Sequence, residues 1–314
     1  MRQTEHLLIE SASRLGVGFK TPWNGVGKSV EGLSTAAEAM RKAKLDWRVA
    51  KDPTYFIQKT DGKPKLEEVP GRFAIVRQDT QECLGSVGAV YTAFQNSEAF
   101  KFFDAIVGEG RAIYDSAGTF QGGRKVWISA KLNPEDFRPN RSLGLGHFIV
   151  LTNTFDGKGC IKMLSLARQF FCMNQITGKS VRISIPHFPN LREKVEAARE
   201  ALGIVTKEMR DLEECLKEIR EIKMSDAQVK DFAYMIGETD YERNLIPTLF
   251  REGIGCEGKT RMDALNAVTQ MTTHHMRVRG DETVRAEKLL NGVIEGRGAK
   301  MQQRAMAFLT GGDL

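Results

Sequence analysis

The chain has 314 residues, 41% hydrophobic and 27% charged, with a formal net charge of +6 and a pI near 9.0. That is ordinary globular composition, long enough for one large domain or two smaller ones, and a packed core is expected. No apolar run reaches bilayer length and the opening "MRQTEHLLIE" lacks the apolar core of a signal peptide, so the expected location is the cytoplasm.

The first motif in chain order is "TPWNGVGKSV", residues 21–30, which carries the Gly-Lys-Ser tail of a phosphate-binding loop. The motif requires a glycine five residues before Gly27, where this chain has Pro22, a residue with a fixed φ and no N–H to offer a phosphate. The upstream "SASRLGVGFK" is a poor central strand, and a Gly-rich surface loop is the preferred reading. Ser34 or Thr35 then caps a helix in "AAEAMRKAKLDW", supported by Glu38. A lysine-rich turn, "KTDGKPKLEE", introduces the strands "RFAIVRQ", "ECLGSVGAVY" and "RAIYDSAGTF", with a short helix in "NSEAFKFFDAIVGEG" between the last two.

Gly122-Gly123 supplies the tight turn of one hairpin and Asp156-Gly157 that of a second, after which "KSVRISIPHF" gives a further strand. Hairpins imply antiparallel pairing, so the fold class is α+β: a central antiparallel sheet with flanking helices, followed by an all-helical C-terminal region. From Leu191, apolar residues through Val195, Ala198, Leu202, Val205, Met209, Leu212, Leu216 and Ile219 recur at heptad steps, predicting a long helix that pairs within the chain or between subunits. Gly203 allows either a bend or two consecutive helices. Three regions follow: 1–68, an N-terminal loop and helix; 69–189, the sheet core; and 190–314, helices for assembly.

Charge is concentrated in the middle. Between Phe120 and Asn190 there are ten Lys or Arg against three acids, so this segment carries +7 and the remainder −1. Such clustering is the footprint of a polyanion binder, although a solvated basic sheet face gives the same pattern. Arg124, Lys125, Lys131, Lys158, Lys162, Arg168, Lys179 and Arg182 are the candidate phosphate contacts. Trp127, Phe170 and Phe171, interleaved with them, are candidates for base stacking or for core packing.

Reaction chemistry is not nominated. The adjacent His274 and His275 diverge on a helix and cannot share a metal as an i, i+4 pair does, and no G-x-S-x-G elbow occurs. Five cysteines without a C-x-x-C pair argue against a zinc site or a disulfide framework. No enzyme activity, metal or cofactor is expected. A polar stripe of Asn266, Thr269 or Gln270, and Thr273 either lines a groove or bonds to neighbouring helices.

Several motifs in order resemble the phage/plasmid-like proteins known as domain-of-unknown-function family nine hundred and thirty-two. They are the "W-x-G-x-G" loop with the following helix and "LDW", the block from "VRQDTQECLGSVGAVY" to "DAIVGEG", and "LTNTFDGKGCIKM". Cys172 and Asn174 in "FFCMNQ", His187 in "IPHF", "ALNAVTQMTTHH" and "RAEKLL" complete the resemblance. Gln175 departs from the threonine expected after Asn174. The mobile-element setting implies a similarity to Rad-fifty-two-like single-strand annealing proteins. The resulting expectation is a homo-oligomeric, single-stranded-DNA-binding and annealing protein that needs no catalytic residue. Its rivals are a nucleotide-dependent DNA-processing enzyme using Lys28 and Ser29, and an inhibitor of host defence without DNA affinity.

Overall fold

A computed structural model describes residues 23, 25–33, 35–60, 63–108, 111–132, 145–157, 161–169, 174–181 and 191–311. In chain order the strands are β1 (Lys28–Ser29), β2 (Val49–Thr60), β3 (Lys63–Arg77), β4 (Cys83–Gly88), β5 (Ala112–Phe120), β6 (Lys125–Leu132), β7 (Leu145–Thr154), β8 (Lys162–Gln169) and β9 (Gln175–Val181). The helices are α1 (Ala36–Ala43), α2 (Asn96–Gly108), α3 (Leu191–Glu221), α4 (Asp226–Ile236), α5 (Asp240–Glu252), α6 (Arg261–Gln270), α7 (Glu282–Glu295) and α8 (Arg297–Thr310). All strand pairs are antiparallel, in a six-stranded sheet ordered β1-β5-β6-β7-β8-β9 and a three-stranded sheet ordered β2-β3-β4. The α+β class expected from the hairpin turns is the observed one, and the C-terminal region is helical.

Local signals act where the sequence places them. Thr35 and Glu38 form a reciprocal capping box at the start of α1, which ends at Lys44 in the left-handed conformation. Ser225, Thr239 and Thr260 cap α4, α5 and α6 in the same way. The β5–β6 turn uses Gly122 and Gly123 at positive φ.

One face of the large sheet meets α1, α2 and the middle of α3, burying Val126, Ile128, Ala130, Phe100, Phe103, Leu202, Val205 and Met209 in one cluster. The opposite face is covered by Trp23 and by Leu290, Val293 and Ile294 of α7, packed on Trp127, Phe148 and Leu164. A third cluster joins the sheet residues Leu145, Ala167 and Ile176 to the helices α3 to α6 and α8. An antiparallel sheet needs only one buried face; this one has both faces covered.

One open alternative closes and one reading changes. The heptad stripe is carried by a single 31-residue helix uninterrupted at Gly203, and its described residues Leu202, Val205, Met209, Leu216 and Ile219 are buried inside the chain. Its apolar face therefore packs on the chain's own sheet and helices. The "KTDGKPKLEE" stretch is more than a turn: it is the end of a long ribbon in which β2 pairs with β3 out to Thr60 and Lys63.

Candidate nucleic-acid interface

Sheet register decides which basic side chains point together. Trp127 lies opposite Thr152, and Thr152 opposite Lys162; Lys131 lies opposite Phe148, and Phe148 opposite Leu166. By strand alternation Lys125, Trp127 and Lys131 of β6 share a face with Lys162 and Arg168 of β8. It is the face that α7 covers.

The consequence is neutralisation rather than an open groove. Glu295, near the end of α7, places Oε2 2.9 Å from Lys125 Nζ and 2.9 Å from Lys162 Nζ. Lys125 also donates to Asn291 Oδ1 at 2.9 Å, and the Thr152 hydroxyl donates to Glu295 Oε1 at 2.5 Å. Burial pushes the Glu295 carboxyl up, but Lys125, Thr152 and Lys162 together hold it below the usual carboxylate range.

Arg168 is buried between the rings of Phe148 and Trp23, its guanidinium carbon 5.6 and 6.0 Å from their centroids. Its Nε and Nη1 have no hydrogen-bond partner among the described residues, and burial lowers its pKa against the attraction of Asp115. The Asp115 carboxylate itself receives Trp23 Nε1 at 2.7 Å and the Ser116 and Ser129 hydroxyls at 2.9 and 3.0 Å.

Trp127 is fully buried, stacked on Phe120 at 5.9 Å and edge-on to Trp23 at 5.9 Å. It has no ring face free for a base; core packing is its role. Among the basic candidates, Arg124 and Lys131 are exposed. Lys158, Arg182, Phe170, Phe171, Cys172 and His187 lie outside the described residues, and for Lys179 only the backbone is described, in β9.

The Gly-rich loop also resolves physically. Lys28 and Ser29 pair with Ala117 and Ser116 as a strand, and the next helix starts only at Ala36, so no helix N-terminus stands behind the loop to hold phosphates. A β-carbon at Gly27 would lie 2.7 Å from both the Ala117 carbonyl and the Trp127 ring, and one at Gly118 would lie 2.8 Å from the Gly27 α-carbon. These glycines let backbone approach Trp127. The nucleotide-dependent reading loses its structural basis.

The same loop edges an open cleft of about 520 Å³ that the charge count did not reveal. Lys28, Lys44 and Arg77 line it from β1, the end of α1 and β3, while Glu282 and Glu287 line it from α7. Arg77 lies over the Trp47 ring at 4.5 Å and is oriented by a bidentate contact to Asp79 at 2.7 and 2.8 Å. A β-carbon on Gly123 would lie 3.5 Å from Arg77 Nη1, and the next residue, Arg124, is exposed. Burial raises the pKa of Glu287, against a hydrogen bond from the Gln121 backbone. No single motif marks this site: its cations are drawn from three elements that meet only in the fold.

The polar stripe is structural. Gln169 donates to Asn266 at 2.9 Å, Thr273 Oγ1 accepts from the Gln175 backbone N–H at 3.2 Å, and Gln302 donates to the Gln175 carbonyl and to Thr272 at 2.8 and 2.7 Å. These contacts tie the end of β8 to α6, and the start of β9 to the π-helical turn 271–275 and α8. No helix among the described residues is long and apolar enough to cross a membrane.

Fold and surface together define an α+β protein with an antiparallel sheet, a helical C-terminal region and a cleft edged by cations. Residues 83–292 match the family model described as Domain of unknown function (DUF932), well over half of the chain, and the chain belongs to that family. No curated protein and no solved structure matches it.

Proposed function

We propose that this protein binds single-stranded DNA and promotes strand annealing as an oligomer, without hydrolysing nucleotide, in the service of a phage or plasmid. The observation that supports this reading best is that three cations from separate elements, Lys28, Lys44 and Arg77, line one open cleft in a chain of formal net charge +6. Phosphate contacts of this kind supply affinity that is independent of base sequence and falls steeply with salt. The acids Glu282 and Glu287 of α7 also line the cleft, so a strand would follow the cations contributed by β1, α1 and β3. This moves the contact away from Lys125 and Lys162, whose charge is already used by Glu295.

The test is fluorescence anisotropy with labelled oligothymidine and a matching duplex at several salt concentrations. Tight single-strand binding, with a salt slope reduced by about 1 for each of Lys28→Ala and Lys44→Ala, is the expected result. Absence of binding at low salt overturns the reading.

A further inference from the structure

Beyond Pro53 the β2–β3 pair leaves the body of the protein. The register runs from Pro53 opposite Phe73 to Tyr55 opposite Glu68, so β2 has one residue, Thr54, where β3 has four, Val69 to Arg72. Pro70 and Gly71, the latter at φ +68, lie in that bulge. β4 pairs with β3 only from Arg72 onward, and below the joint Lys51 is clamped to the Ala89 and Tyr91 carbonyls at 2.5 and 2.8 Å. The outer part is a two-stranded arm of roughly 20 Å with no third strand among the described residues.

One face of this arm exposes large apolar side chains to water. Tyr55 is 54% exposed, Ile57 63% and Leu66 68%. Opposed pairs place Tyr55, Ile57, Leu66 and Pro64 on one face, with Lys59 near the tip and Glu68 near the root. An isolated two-stranded hairpin is marginal in water, and an unprotected apolar ribbon is a pairing template that proteins normally blunt or cover.

We infer that this face packs against the same face of a second copy of the chain, the two arms antiparallel about a twofold axis near Ile57 and Leu66. The charges select this occupant. A twofold contact must be self-complementary, and this one brings Lys59 of each arm to the partner subunit's Glu68 while the apolar centres meet. Within one arm Lys59 and Glu68 are about 13 Å apart along the strand, too far to pair with each other. A nucleic acid would leave Ile57 and Leu66 unserved and would be repelled by Glu68. The inference supplies the subunit contact of the proposed oligomer and does not depend on DNA affinity.

Sedimentation velocity of the full chain without DNA, over a concentration series, tests it. The wild type is expected to self-associate, Ile57→Glu to abolish association, and Lys59→Glu or Glu68→Lys alone to weaken it by about tenfold or more. The double variant carrying both reversals restores association, because each new pair forms only across the interface. A monomeric wild type overturns the inference, as does association indifferent to these changes. Should the variants assemble normally yet lose oligothymidine binding, the arm belongs to the strand and self-docking is refuted. Unchanged circular dichroism and melting of each variant separates these outcomes from misfolding.

Discussion

Glu295 and Lys125 meet at 2.9 Å across the interface between α7 and the sheet, and the same carboxylate oxygen holds Lys162. All three side chains are largely buried, so removing the acid leaves two cations without a counter-charge. Glu295→Ala should cost roughly 2–4 kcal/mol in urea unfolding, after allowance for residual exposure. The pH dependence has a definite sign. The Glu295 pKa is depressed in the fold, so its contribution is present above the unfolded carboxylate value of about 4.3 and is lost as pH falls through the folded value. Equal stability of wild type and Glu295→Ala across that range would show that α7 does not seal the basic face.

Packing around Trp127 gives a second expectation. Gly118→Ala forces a β-carbon to 2.8 Å from Gly27 and 3.1 Å from the Trp127 ring, an overpacking worth about 1–3 kcal/mol. Gly122→Ala has open space around it and meets only the strain of φ +66, so it should cost less. Trp127→Ala, emptying a fully buried site, should cost about 3–5 kcal/mol. Chemical denaturation ranks the three. A Trp127→Ala protein of normal stability that specifically lost DNA binding would instead return this ring to the surface.

His147 carries a pH effect of its own. It is buried with its Nε2 2.8 Å from Glu213, and burial lowers its pKa despite that carboxylate. Because the folded value lies below the unfolded one, the unfolded chain binds the proton first. Stability should therefore decline as pH falls through about 6.5 toward the lower folded value. His147→Gln should flatten this part of a melting-temperature profile, and an unaltered profile would reject the assignment.

Arg297 joins two helices through Glu242, with bidentate contacts of 2.7 and 2.7 Å, and reaches Glu238 at 2.6 Å. The Glu242 side chain is almost wholly buried and also caps α5. Arg297→Ala strands that carboxylate and should destabilise by about 2–4 kcal/mol, whereas Arg251→Ala, which breaks an exposed pair with Asp226, should change stability by less than about 1 kcal/mol. Similar values for the two would mean that burial does not govern these pairs.

Much of the scaffold was legible in local chemistry: the Thr35 capping box, the Gly122-Gly123 turn and the 31-residue helix all act over a few neighbouring residues. The outer ribbon was not. Its proline, lysine and glycine content imitates a turn, and β2 was missed because its partner strand alone explains its length. Of the basic segment, Lys125, Lys162 and Arg168 are largely buried, whereas Arg124 and Lys131 are exposed. Strand alternation does bring Lys125, Lys131, Lys162 and Arg168 to one face, but the helix that covers it is more than a hundred residues downstream.

Sequence by itself determined the α+β class, the antiparallel hairpins and the helical C-terminal region, because turns, caps and periodicity are short-range and additive. Tertiary structure alone decided which cations remain available. A lysine's charge is set by its residue type, but whether it meets phosphate or Glu295 depends on a contact between segments that no local pattern encodes.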